Sequence, residues 1–207
     1  MTYMPALETP RLVIRPFCMD DLQPVHRLFD VELREAELGT VGAQTLPERA
    51  EWLQWAVLNY VQLAKLYQPP YGDRAVVHKQ TQQLIGACGF VPCLNAFEQC
   101  AVLSPAPPQS RDWLATPEVG YAMTPPLQGQ GYATEAAQAL VDYAFQHLRL
   151  KRIVATTTYE NAASMGVMRK IGMRIARNPY PEPPWLQVVG VLENDASRDG
   201  AILSAQA

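Results

Sequence analysis

The chain has 207 residues, a formal net charge of −3 at pH 7 and 18% charged residues, with a pI near 5.6. A chain of that length is expected to form one domain, residues 1–207, burying a core without metal or disulfide help. The mild acidity gives no general attraction to nucleic acid or to an anionic membrane, and no stretch approaches the roughly 20 apolar residues that span a bilayer.

Leu12 to Phe17 alternates as a first strand, and Asp20 and Asp21 offer acceptors for a helix running to about Phe29, with Pro24 tolerated in its first turn. From Pro47 to Tyr67 the apolar positions Trp52, Trp55, Ala56, Leu58, Val61, Leu63 and Leu66 predict a long amphipathic helix stopped by Pro69 and Pro70. Arg74 to His78 and Leu84 to Val91 read as an antiparallel hairpin across a polar turn. Residues 93–117 hold Pro105, Pro107, Pro108 and Pro117. A loop of that length within a compact domain is uncommon and often functional.

Glu118 to Thr124 reads as a short strand ended by Pro125 and Pro126, and a helical pattern runs from Thr134 to Leu148. Arg152 to Thr158 is a further strand. Asn161 to Lys170 is a second helix, with Gly172 as its stop. Met173 to Arg177 and Trp185 to Glu193 are two more strands, separated by a stiff proline-rich segment, and residues 194–207 form a partly ordered tail. The order of elements predicts an α/β (α+β) fold with a mixed sheet and helices on both faces.

The turn Gln128, Gly129, Gln130, Gly131, Tyr132, Ala133, Thr134 joins the fourth predicted strand to its helix. Glycines there let the backbone take positive φ and let several N–H groups converge on one anion at the positive end of the helix. The P-loop pattern is excluded, because no Lys follows the glycines. The dinucleotide fingerprint is also excluded, because Thr134 fills its third small position and no acidic residue follows at the right distance.

Gln128, Gly131 and Ala133 do fill Gln/Arg-x-x-Gly-x-Gly/Ala, which resembles the pyrophosphate loop of the GNAT superfamily of N-acetyltransferases. Asn161, Ser164, Lys170 and Gly172 resemble the Asn-x-x-Ser…Lys-x-Gly-Phe signature of the branch containing the ribosomal-protein N-terminal acetyltransferases, with Met173 in place of Phe. The opening from Leu7 to Pro16, followed by Asp20, Asp21 and Leu22, resembles the start of that branch. The resemblance implies a mostly antiparallel sheet of about seven strands in which the strands at Glu118 to Thr124 and Arg152 to Thr158 splay apart. It implies that acetyl-CoA enters as co-substrate, with Ala122, Met123 and Thr124 giving main-chain contacts to the pantetheine arm and Gln128 to Thr134 holding the pyrophosphate. Against the family pattern, residues 93–117 read as an insertion, either a substrate lid containing Trp113 or a plain surface loop.

Amide synthesis from a thioester needs a neutral amine and help for the oxyanion and departing thiolate. Glu118 is the candidate base for the amine; its plain alternative is a solvated carboxylate at a strand start. The family's usual proton donor, a Tyr four residues before the closing glycine, is replaced by Met168. The resemblance instead points to Ser164 for the sulfur and Asn161 for the pantetheine arm; the ordinary alternatives are a helix cap from Asn161 or a neighbour and a passive polar Ser164 on the helix. Tyr159 is a weaker alternative acid. His26, His78 and His147 are read as surface or packing residues away from the motifs.

Cys18, Cys88, Cys93 and Cys100 lack metal-ligand spacing and a motif histidine, so reduced thiols, no metal and direct acetyl transfer without an acyl-enzyme are expected. The expected location is cytoplasmic, since the start of the chain has no charged region followed by an apolar run. The expected partners are acetyl-CoA and an amine, either a protein N-terminus or a small molecule, with no nucleic acid and no membrane; the oligomeric state is open, a homodimer through the final strands being one arrangement found in the family. The rival readings are a non-catalytic acyl-CoA-binding module and transfer of another acyl group such as succinyl.

Overall fold

The computed structural model describes residues 4–34, 42–95, 100 and 114–194. The chain divides into two compact units, Met1–Val91 with Gly120–Leu140, and Pro92–Val119 with Val141–Ala207. The strands form one eight-stranded sheet in the order β1-β2-β3-β4-β5-β6-β8-β7, one more than expected because Leu7–Glu8 adds a two-residue edge strand, β1.

In the first unit β2 (Leu12–Arg15) pairs antiparallel with β1 and with β3 (Gly72–His78), and β3 pairs antiparallel with β4 (Leu84–Asn95). Ala75, Val76 and Val77 are buried in succession, the mark of a strand covered on both faces. One cover is α1 (Leu22–His26) and α2 (Leu46–Lys65), which close a core of Phe17, Val25, Leu28, Leu53, Ala75 and Ala87. Before α1, Met19–Asp21 forms a 3₁₀ turn in which the Asp21 carboxylate accepts the Cys18 N–H at 2.9 Å. After α1, the helix continues past the expected end at Phe29 as a π-helical stretch, Arg27–Glu32.

Helix α2 begins with a reciprocal Thr45 and Glu48 capping box. Its orientation departs from the expected apolar stripe. Arg49, Leu53, Ala56 and Tyr60 face inward, while Trp55, Leu58, Val61 and Leu66 are exposed. Two polar contacts fix that rotation: Arg49 forms a two-pronged ion pair with Asp30, at 2.8 and 2.7 Å, and the Tyr60 hydroxyl donates to the carbonyl of Asp73.

The second unit holds β6 (Arg152–Thr157), α4 (Ala162–Lys170), β7 (Arg174–Arg177) and β8 (Val188–Glu193), with β8 antiparallel to both β6 and β7. Cys100 is buried there with Val154, Leu186, Val189 and Val191. Strand β5 (Leu114–Met123) and helix α3 (Tyr132–Gln146) contribute residues to both units. Most of the expected insertion, including Trp113, and the tail beyond Asn194 lie outside the described residues.

Candidate functional site

The glycine loop belongs to the first unit. After β5, Pro125–Leu127 makes a 3₁₀ turn, and the chain reverses through Gly129 at φ +74° and Gly131 at φ +84° before α3 begins at Tyr132. Side chains in such a conformation are strained, so the two glycines are what the turn requires. Glu135 N–H donates to Gly131 O at 3.0 Å, the first bond of the helix; among the described residues the N–H groups of Gly129 to Thr134 have no acceptor. Six donors at the positive end of a 15-residue helix match the needs of a diphosphate.

Neighbouring residues hold this loop from behind. Gln128 Nε2 donates to Met123 O at 3.0 Å and Gln130 Nε2 to Pro126 O at 3.1 Å. Arg11 donates from Nη1 to Gln130 O at 3.1 Å and from Nε to Glu135 at 2.6 Å, and its guanidinium lies 4.1 Å from the centre of the Tyr132 ring. Thr9 Oγ1 and Arg11 N–H both donate to the same Glu135 carboxylate. Burial pushes this carboxyl up, but the bonds from Thr9 and Arg11 outweigh that and hold it below its ordinary value. Arg11 thus neutralises an acid that stands in the turn where an anion would bind. The sequence gives no local sign of this pairing, because 124 positions separate the two residues.

His78 reaches the loop as well, contrary to the expectation that it lies away from the motifs. Its Nε2 is 3.3 Å from the Tyr132 hydroxyl, and the two rings meet edge to face.

The backbone of Ala122, Met123 and Thr124 is partly engaged already. Thr124 N–H donates to Ile85 O at 2.8 Å, Thr124 O accepts from Leu127, and Met123 O accepts from Gln128. A Cβ on Gly86 would fall 2.4 Å from Ala122 O, so Gly86 is what lets β4 pass that close. The Thr124 hydroxyl donates to Glu32, which also pairs with Arg27 at 3.2 Å.

In the second unit Glu118 is half-buried. Its Oε1 accepts the Thr156 N–H at 2.9 Å and the Thr156 hydroxyl at 2.5 Å. Among the described residues β5 and β6 run parallel, with Glu118 opposite Val154, and two residues on the β6 amide donates to the Glu118 side chain.

Asn161 caps α4, its Oδ1 accepting the Ser164 N–H at 2.9 Å, so the capping reading holds for that oxygen, and Ser164 sits in the first turn. Tyr159 donates its hydroxyl to Asn178 O at 2.5 Å. Met168 is fully buried, and a Cβ on Gly190 would fall 3.0 Å from its sulfur and 2.9 Å from that of Met173. The position of the family's usual tyrosine acid is therefore filled by core packing. Among the described residues no group of three or more His, Cys, Asp or Glu is placed to hold a metal ion, and no helix is long and apolar enough to cross a membrane.

A mixed sheet with a glycine turn whose N–H groups gather at the start of a helix suits the binding of a diphosphate. Residues 11–174 match the family model for the acetyltransferase (GNAT) domain, and the chain belongs to that family. It is 51% identical over 59 residues to the uncharacterized N-acetyltransferase YnaD of Bacillus subtilis, a match covering 28% of this chain and 35% of that protein. It is 28% identical over 175 residues to the uncharacterized protein YkkB of the same organism, covering 83% and 86%. Among solved structures, the ribosomal-protein-S5-alanine acetyltransferase of Vibrio fischeri superposes with a TM-score of 0.65 at 19% identity, covering 92% of this chain and 97% of that one; that likeness is one of fold.

Proposed function

We propose that the chain transfers an acetyl group from acetyl-CoA to a primary amine, with both substrates bound together and no acyl-enzyme. The observation that carries this reading is the cradle at Gly129 to Thr134, whose N–H groups lack acceptors in the described chain and whose nearest acid is already paired with Arg11. Gln128 to Thr134 hold the pyrophosphate, and Ala122 to Thr124 line the pantetheine arm.

Glu118 takes the proton from the amine, directly or through water. Its Oε1 is fixed by Thr156, and Oε2, which accepts nothing from the described residues, is the proton-accepting oxygen. The neutral amine then forms the C–N bond as the C–S bond breaks; the nitrogen gives up its second proton to the departing thiolate, and CoA leaves as the free thiol. Ser164, set in the capped first turn of α4, stabilises that sulfur, and Asn161 orients the arm through the part of its amide not used in capping. Burial supports the direct route: it pushes the Cys88 thiol well up and that of Cys100 to about 11, so neither is a nucleophile near neutral pH.

The acceptor is a protein N-terminus or a small-molecule amine; the Asn161 and Ser164 signature favours the first. The test is acetyl-CoA-dependent release of free thiol across N-terminal peptides, amino acids, polyamines and aminoglycosides. Acetylation of one class establishes the activity. Silence across the panel with CoA still bound turns the reading to a binding module.

A further inference from the structure

Helix α2 carries apolar residues on two sides. Leu53 and Ala56 turn into the core of the first unit, while Trp55, Leu58 and Val61 turn outward with 59%, 50% and 51% of their surface exposed. Single exposed apolar side chains are ordinary, whereas a run of them along one helix face marks a contact surface. Steps of three residues keep these three side by side on one face. That face lies wholly on one element of one unit.

The polar residues around the stripe are arranged by sign and by distance. Trp55 and Val61 stand three residues from Leu58, Gln54 and Gln62 four, and Glu51 and Lys65 seven. All six are exposed. Offsets of three, four and seven are those that return to the same helix face, and seven residues rise about 10 Å. The face thus sets apolar against apolar, amide against amide and acid against base at matching distances from its centre. Among the described residues neither Glu51 nor Lys65 is paired within the chain.

A surface of that kind fits a second copy of itself. Identical subunits meet most often about a two-fold axis, which makes the same patch serve both sides. With the axis across Leu58 and the two helices antiparallel, Leu58 meets the partner's Leu58, Trp55 comes level with the partner's Val61, Gln54 with the partner's Gln62, and Glu51 with the partner's Lys65. One ion pair then closes each end of the contact, and the two helix dipoles run in opposite directions. A parallel pairing would instead set acid beside acid and base beside base, which is repulsive.

We propose that the exposed face of α2 is the contact surface of a homodimer, two copies packing antiparallel about Leu58. The pairing is independent of the acetyl-transfer reading, and it uses α2 in place of the final strands.

Sedimentation equilibrium of the full chain over about 1–300 µM, a range that brackets the affinity of a small interface, is expected to show monomer passing to dimer. Leu58→Glu puts two acids face to face at the axis. It is expected to raise the dissociation constant by about tenfold or more, while acetyl-CoA binding and the circular dichroism spectrum stay as in wild type. Glu51→Lys and Lys65→Glu each set like charges together at both ends, and each alone is expected to raise the constant by about fivefold or more. Mixing the two single variants is expected to bring association back, because one copy then offers bases at both ends and the other acids.

A wild type that stays monomeric over the whole range overturns the proposal. A dimer that none of these substitutions weakens also overturns it, since its contact would lie elsewhere on the chain. So does a dimer weakened by Leu58→Glu while both charge variants associate as wild type does, because the copies would then meet on this face in another orientation.

Discussion

Glu118 is held through one of its two oxygens, by the amide and hydroxyl of a single residue, Thr156. Glu118→Gln keeps the shape of the side chain and removes its capacity to take a proton. It is expected to lower kcat by about 10²- to 10³-fold, within the usual range for a general base, without weakening acetyl-CoA binding. Thr156→Val removes the hydroxyl but keeps the amide, and a loss of about 10- to 100-fold is expected, the worth of one hydrogen bond to a charged group. Steady-state kinetics at saturating acetyl-CoA measure both; wild-type turnover in Glu118→Gln would remove Glu118 from the chemistry. Glu118 was legible in the sequence because it opens the strand that leads into the glycine loop. Thr156 was not, since its role depends on the register of a parallel pair that closes across 38 residues.

The elements show where a hydrophobic pattern succeeds and where it misleads. The existence and order of α2, α3, α4 and the strands from β2 to β8 followed from periodicity and punctuation, with ends shifted by a few residues. The rotation of α2 did not follow, because two of its inward positions, Arg49 and Tyr60, are polar, whereas Trp55, Leu58 and Val61 point outward. The partner of Arg49 stands on the π-helical stretch, whose wider turn carries Asp30 to Arg49 and to the Gln44 N–H, and Glu32 to Thr124. A π stretch has no sequence signature, and such stretches often mark functional regions. Asp30 and Arg49 side chains are 1% and 9% exposed, so removing one partner strands a buried charge. Asp30→Asn and Arg49→Met are each expected to cost about 3–5 kcal/mol of stability, and the double replacement by apolar residues of similar volume is expected to cost less than either. Urea unfolding of the three variants measures this; a double variant as unstable as the sum of the singles would mean that packing, and not charge pairing, sets the position of α2.

For the molecule as a whole, the acid limit of stability follows from where the low-lying carboxyls sit. Burial pushes Asp21 up, and Arg15 with the Cys18 N–H outweighs it; burial pushes Asp30 up, and Arg49 with the Gln44 N–H outweighs it; Glu135 is held low in the same way by Thr9 and Arg11. Each folded-state pKa lies below its unfolded value, so the stabilisation is fully present above the unfolded values, about 3.9 for Asp and 4.3 for Glu, and is lost as pH falls through the folded ones. Glu48, at the surface, is also held low, by the Thr45 hydroxyl and N–H. Asp73 works the other way: burial raises its carboxyl, and the penalty fades as it takes up a proton. One group opposes four, so acid should destabilise the fold, and Asp73→Asn should steepen the loss by removing the opposing contribution. All five residues belong to the unit formed by Met1–Val91 and Gly120–Leu140. That unit should therefore open first below about pH 4. Pulse-labelling hydrogen exchange after equilibration at each pH, corrected for intrinsic exchange, is expected to lose protection over α2 and β3 before β6 and β8. Simultaneous loss in both sets would mean that the ion pairs of the first unit do not control acid unfolding, and that the chain melts as one cooperative body.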